Sequence, residues 1–465
     1  MKSEFIAHLG ENKSLILLFA GWGMDATPFH KIKTRCDMAV IWDYEDFDID
    51  ITPFTSYKNI YLFAWSFGIF AATKFIQSHS RLPIIFKMAI NGTQFPIDDN
   101  RGIPLNIFNA TLENLSERSL MKFYHRICGS STAYRDFIKH LPHRSIFSLR
   151  KELINIHDAA STFNNHITWD KVVASKNDLI FPFENQLSGW NNYCLSLEIN
   201  DYGAHYPENL ESVINQNIIN KDLIKHRFSN SLNSGYEDNA IIQRKIAKSL
   251  YDKWVNLIGI KHDASILEIG CGTGLLTRLY THTSYPSRLV LNDLCNIPTV
   301  FLNLNVTEYE FIEKDAEQLT FPCNSFDYIV SASAIQWFEN LPGFFNNIHH
   351  WLKPGGAIIM SSFGPDNMKE IKEHLKISLN YKSAYWFNNE IKRNFDIVLV
   401  SEEHETMLFD SPLQVLRHIQ STGVNSINSG KIPQRAIKQL LNNYEATDGK
   451  YTLTYNPIYI LAKLK

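Results

Sequence analysis

The chain of 465 residues has only six cysteines, scattered without paired spacing. That pattern argues against both a disulfide framework and a zinc site, and no metal is expected. It also lacks an excess of either charge: 45 Lys and Arg face 48 Asp and Glu, for a formal net charge of -3. This disfavours a general nucleic-acid binder but still allows a local basic patch for an acidic partner. Long hydrophobic runs are missing. The opening run, Leu15–Ala20, is far shorter than the roughly 20 residues that cross a bilayer. Met1–Asn12 has none of the charged-then-apolar order of a signal peptide. The expectation is a cytoplasmic protein that binds neither membrane nor nucleic acid. With 45% hydrophobic and 20% charged residues the composition is that of a globular protein. The length exceeds one ordinary core, so two or three domains are expected.

No internal repeat is visible. From Leu15 to about Ile219, short apolar runs (LILLFA, IYLFAW, KMAIN, WDKVVAS, CLSLEI) alternate with amphipathic stretches. That order predicts strands separated by helices, hence a mostly parallel sheet covered on both faces. A polar stretch from Asn215 to Gly235 follows, then a second strand–helix series to Lys465. The boundary is placed near Asp222, giving domains 1–221 and 222–465, with no long Gly/Pro/Ser linker between them.

The second series opens on Ile266–Leu275, ILEIGCGTGL. A strand ends in Glu268, three glycines stand at alternate positions (Gly270, Gly272, Gly274), and Leu-Leu-Thr starts a helix. Such glycines let the backbone turn tightly and approach a ligand. The spacing is not the Gly-x-Gly-x-x-Gly of dinucleotide enzymes, and an acid before the loop suits an ammonium better than a pyrophosphate. The stretch resembles the first motif of the S-adenosylmethionine methyltransferases. A following strand ends in Asp293, about twenty residues on, where an acid accepts both ribose hydroxyls. A third ends before Asp315 and Ala316, expected at the adenine amino group and ring. Phe326–Ser331 is the fourth strand, and Leu352–Gly356 reads as the turn before the fifth.

In the first half, Tyr61–Phe70 is a strand running into a helix with Ser66 at the bend, flanked two residues either side by Ala64 and Gly68. Small residues there permit the strained turn of a nucleophile elbow, although its usual first glycine is alanine here. Asp178 follows one later strand and His205 another. The order Ser, Asp, His is that of the α/β-hydrolases, in which the histidine takes the serine proton and the acid fixes its tautomer. Asp158 and Asp201 are rival acids. Oxyanion donors are expected at the Phe67 N–H and in the loop around Trp22, where Gly21 and Gly23 free the backbone. Between Pro104 and Asp158 the pattern turns helical, as for a cap over a hydrolase site. It carries basic residues such as Arg118, Lys122 and Arg126, suited to steering a polyanion to the pocket mouth.

The expected fold class is α/β throughout: an N-terminal α/β-hydrolase fold with a helical cap, then a Rossmann-like class I S-adenosylmethionine methyltransferase fold. FAGWGM, AWSFG, the late Asp and Gly-Ala-His-Tyr-Pro together resemble the BioG-type esterases of biotin synthesis. That resemblance implies hydrolysis of the methyl ester of pimeloyl on acyl carrier protein. Arg227–Tyr236 with Gln243 and Arg244, Ser333–Phe338, and Ser411–Asn425 are similar to the BioC-type enzymes. These methylate the free carboxylate of malonyl on acyl carrier protein with S-adenosylmethionine. Tyr236 and Arg417 are candidates to hold the acceptor. Two other readings stay open: a methyltransferase for another carboxylate or small metabolite joined to an unrelated esterase, or a first half that only docks the carrier.

Overall fold

In the computed structural model, residues 1–9, 14–233, 235–298, 304, 306, 308–375, 379–421 and 434–465 are described. The chain divides into two compact units, Met1–Asn215 and Gln216–Lys465. Among the described residues no helix is long and apolar enough to cross a membrane.

The first unit is built on β1 (Lys2–Ala7), β2 (Ser14–Phe19), β3 (Asp37–Trp42), β4 (Asn59–Trp65), β5 (Ile84–Ile90), β6 (Lys171–Ser175) and β7 (Leu197–Asn200). Their order in the sheet is β1-β3-β2-β4-β5-β6-β7. Only β1 runs antiparallel to its neighbour; the other pairs are parallel. The central strand β2, SLILLF, is buried at every position. A parallel strand covered on both faces requires such a continuous apolar run, and alternation would leave polar groups in the core. Two strands, β1 and β3, lie outside the five apolar runs of the sequence. β1 mixes polar and apolar residues because it is an edge strand with exposed or half-buried positions.

Helix α1 (Gly68–Ser78) follows β4 directly. Between β5 and β6 the chain leaves the sheet for α2 (Leu105–Glu113), α3 (Glu117–Cys128), α4 (Ser131–Phe137) and α5 (Ile146–Thr162). Ser116, Ser130 and Ser145 cap the last three, each accepting from the amide three residues on. A buried Arg144 ties this insertion to the end of β3. Its Nη2 lies 3.1 Å from Asp43 Oδ1 and 3.0 Å from Glu152 Oε2.

The second unit contains β8 (Ser265–Ile269), β9 (Arg288–Asp293), β10 (Glu310–Glu313), β11 (Phe326–Ser331), β12 (Leu352–Phe363), β13 (Phe395–Glu402) and β16 (Pro457–Leu464). They are ordered β10-β9-β8-β11-β12-β16-β13, and a separate antiparallel pair joins β14 (Glu405–Phe409) and β15 (Tyr451–Tyr455). Only the pairs made by β16 are antiparallel in the larger sheet. Successive residues of a strand feed opposite faces: Ile266 belongs to one core cluster, Leu267 and Ile269 to the other. The expected turn at Leu352–Gly356 is absorbed into β12, where the pairing with β11 shifts register and Gly355 takes φ +75°. Both units are α/β. The first has the strand order and inserted helices of a capped α/β-hydrolase, the second the Rossmann-like order of a class I methyltransferase.

Candidate active sites

Ser66 sits between β4 and α1 with φ +59°, a left-handed conformation that serine adopts only at a cost. The turn is held from both sides. Ser66 N–H donates to Ile90 O on β5 (3.1 Å), and Ile69 N–H donates to Ser66 O (3.0 Å). Gly68 is required by close approach: a Cβ there would stand 2.3 Å from Phe19 O and 2.6 Å from Ala20 O. Gly68→Ala is therefore expected to push α1 off β2, costing about 3 kcal/mol and the bend at Ser66. A lowered Tm of the first transition and loss of ester hydrolysis would show it; an unchanged Tm would refute the contact. Ala64, in place of the usual glycine, is fully buried and fits.

His205 Nε2 lies 2.9 Å from Ser66 Oγ, and His205 Nδ1 lies 2.9 Å from Asp178 Oδ2. All three side chains are buried. Asp178 Oδ1 accepts the amides of Ile180 (2.8 Å) and Phe181 (3.0 Å), and Oδ2 also accepts Gln186 Nε2 (3.1 Å). Every lone-pair direction that could let the carboxylate swing is thereby engaged. The structure does not bring the rival acids to the histidine. Asp201 pairs with Lys176 at 2.6 Å, and the exposed Asp158 lies beside His157.

Ser66 opens on a cavity lined by Trp22, Phe67, Ile107, Phe108, Phe123 and Leu153, with Ile103, Leu179 and Ile180 completing an apolar wall and Arg126 among the lining residues. Trp22 is fixed by its indole N–H to Leu149 O on α5 (3.0 Å) and by an edge-on contact with Phe123 (4.9 Å, 70°). A Cβ on Gly21 would crowd Ser66 Cβ and the Trp65 ring, each at 3.1 Å. Phe67 is the residue at the N-terminus of α1, where helix amides have no partner within the helix.

In the second unit a cavity opens where β8 meets its glycine loop. Gly270, Gly272 and Gly274 all have positive φ (65°, 51° and 81°). A Cβ on Gly270 would stand 2.3 Å from Ala334 Cβ, so only glycine fits that turn. Glu268, Gly270, Gly272, Asp293, Asp315, Ala316 and Tyr236 line the cavity. Burial pushes the Glu268 carboxyl up to about 7, while the Thr277 and Tyr280 hydroxyls, both 2.7 Å from Oε2, oppose the rise. Burial likewise pushes Asp293 up to about 6, against the Cys295 and Gly272 amides, each 2.9 Å from one of its oxygens. Tyr236 packs edge-on against Phe228 (5.1 Å, 77°), and burial raises its phenol well above the ordinary value.

Gly274, the N-cap of the helix Leu275–Thr281, does not line the cavity, and one further candidate departs from its expected place. Arg417 is exposed on the helix Pro412–Ser421 and does not line the cavity. The helix turns Val415, His418 and Ile419 inward instead, as its period dictates. Residues Thr422–Asn425 of the same motif lie outside the described residues. Conversely, Lys221 lines the cavity and donates to Asp315 Oδ1 (3.0 Å) and Glu317 Oε2 (2.8 Å). A lysine in a polar, amphipathic stretch reads as a solvated charge, and no sequence signal marks it otherwise. Gln243, Thr273, Ser333 and Gln336 also line the cavity, each with a buried oxygen that has no hydrogen-bond partner among the described residues.

Comparison with known proteins follows the same division. The family "Pimeloyl-ACP methyl esterase BioG" matches residues 1–209, and "Methyltransferase domain" matches residues 267–360. A crystal structure of BioG from Haemophilus influenzae is 31% identical, with a TM-score of 0.41, over 45% of this chain and 96% of that one. A malonyl-[acyl-carrier protein] O-methyltransferase of Calditerrivibrio nitroreducens is 35% identical over 49% of this chain and 90% of its own length. Another protein of that name, from Bacteroides fragilis strain 638R, is 36% identical over 97% of this chain and 93% of its own length. The chain belongs to that methyltransferase family and carries a BioG esterase domain ahead of its methyltransferase domain, so that two enzymes share one polypeptide.

Proposed function

We propose that the second unit transfers the methyl group of S-adenosylmethionine to the free carboxylate of malonyl on acyl carrier protein, and that the first unit hydrolyses the methyl ester of carrier-bound pimeloyl. The observation that carries the reading is the Ser66–His205–Asp178 relay on the same chain as a glycine-looped, acid-lined cavity. The cavity suits the cofactor. Gly270 and Gly272 put bare backbone on its wall, and the uncommitted oxygens of Gln243, Thr273, Ser333 and Gln336 await a polar ligand.

When bound, S-adenosylmethionine supplies an electrophilic methyl on a sulfonium. Asp293, which lines the cavity, would accept from the ribose hydroxyls. Asp315 and Ala316 would hold adenine, and Glu268 would hold the ammonium. A malonyl carboxylate is ionised at neutral pH, so no base is needed to make it a nucleophile; alignment in a dry cavity is enough. Tyr236 forms part of that cavity's wall.

In the first unit, Ser66 Oγ attacks the ester carbonyl as His205 Nε2 takes its proton. The Phe67 amide and the loop at Trp22 meet the developing oxyanion. His205 returns the proton to the departing methoxide, methanol leaves, and water releases pimeloyl from the serine by the reverse relay. Asp178 holds the Nδ1 proton and stabilises the imidazolium throughout. The two activities belong together because a methyl ester hides a charge that would be costly in the apolar tunnels of chain-elongating enzymes.

The test is direct. Carrier-bound malonyl incubated with methyl-labelled S-adenosylmethionine should become a labelled, base-labile ester on the carrier. Free malonyl thioesters serve as the comparison. A carrier that stays unlabelled would end the proposal.

A further inference from the structure

Beyond the relay itself, the geometry points to Asn91 as the residue that positions His205. This inference rests on the first unit acting as a serine esterase, the reading proposed above. His205 lies in the loop after β7, and β7 is a poor anchor: an edge strand of four residues, three of them exposed. The loop is held from the core side instead. Asn91 Nδ2 donates to two successive carbonyls, Ala204 O at 2.8 Å and His205 O at 2.9 Å. Its two N–H bonds diverge in a plane, so this pairing fixes the peptides on both sides of the histidine Cα. Trp65 Nε1 adds a second donor to His205 O at 2.7 Å.

Asn91 is itself tightly set. It is 2% exposed and takes φ +49°, a left-handed conformation that asparagine tolerates better than most residues. Its N–H donates to Val173 O on β6, the strand that leads to Asp178. Its neighbour Ile90 accepts the Ser66 N–H. The next residue, Gly92, lies so close that a Cβ would stand 3.0 Å from Ser66 Cα. One short segment at the end of β5 thus touches the serine bend, the strand before the acid and the histidine loop together. A reach of 2.9 Å between His205 Nε2 and Ser66 Oγ leaves little tolerance for a loop that drifts.

Two variants separate positioning from mere stability, with the unfolding transition of the first unit as the folding control and methyl transfer as the control for the second unit. Asn91→Asp keeps shape and backbone preference but faces two carbonyl oxygens with a carboxylate. Asn91→Gly keeps the left-handed backbone and deletes the donor. We expect kcat for pimeloyl methyl ester on carrier to fall about 100-fold in Asn91→Asp and about tenfold in Asn91→Gly, with KM within about twofold. Labelling of Ser66 by a fluorophosphonate should slow by the same factors, and methyl transfer should be unchanged. Native hydrolysis and native labelling in both variants would overturn the assignment. So would a loss confined to KM with Ser66 labelled at the native rate. Should the native chain label at Ser66 yet spare the pimeloyl ester, the substrate reading fails while the labelling rates still decide the role of Asn91.

Discussion

Ser66→Ala is expected to lower hydrolysis of pimeloyl methyl ester on carrier protein by about 10⁴-fold or more, while methyl transfer to carrier-bound malonyl continues at its native rate. The size follows from what the hydroxyl does. It is the atom that bonds to the ester carbon, and its removal leaves only binding and the oxyanion donors, a residual of modest worth. Folding should survive, because Ser66 Oγ makes one hydrogen bond, to His205, while the bend is held by backbone bonds through Ile90 and Ile69. A variant that retained hydrolysis would remove Ser66 from the nucleophile's role. One that lost both activities would mean that the two sites are not independent. Asp178→Asn is the milder companion. Its carboxamide would still accept the Ile180 and Phe181 amides, but with a nitrogen turned toward His205 the Nδ1 proton loses its acceptor.

What the sequence revealed, and what it hid, follows from how local each feature is. The serine bend is written in a window of ten residues, because an apolar strand, a small residue, serine and glycine are all needed to make the turn. Gly68 shows why, since a single methyl there would strike the Phe19 carbonyl. The glycine loop after β8 is equally local, and the acids Asp293 and Asp315 follow from counting strand ends. Asp201 stands only four residues before His205, too close for a turn between them, and it faces Lys176 instead. Contacts between distant segments were not legible. Lys221 reaches Asp315 and Glu317 across more than ninety positions, and Asn91 reaches Ala204 and His205 across more than a hundred. In sequence one is an ordinary helix lysine and the other a polar residue after a strand. Arg417 failed for the opposite reason: a charged residue inside a family-like motif invites a role, whereas the helix period turns it to solvent.

The largest effect expected in the second unit is at Asp293. The Gly272 amide donates to one of its oxygens and the Cys295 amide to the other, both at 2.9 Å, so the carboxylate latches the glycine loop. Asp293→Asn has only one accepting oxygen. One amide must then face an NH₂ group, at about 1–3 kcal/mol for the buried mismatch, and one ribose hydroxyl loses its acceptor. Together these predict about a 100-fold weaker Kd for S-adenosylmethionine by calorimetry, since each 1.4 kcal/mol is tenfold. The pH dependence gives the sharper signature. Hydroxyls donate to the ionised carboxylate, so native affinity should rise as pH climbs through about 6, where burial has placed this group, and again through about 7 as Glu268 ionises. Asp293→Asn should lose the lower step and keep the upper one. Stability moves the other way. A buried carboxyl raised from 3.8 to about 6 binds more protons folded than unfolded, so its ionisation removes folding stability as pH rises across that window. Ligand affinity and the stability of the ligand-free chain should therefore diverge between pH 4 and 6. Parallel curves would show that Asp293 is not the acid whose ionisation receives the ribose.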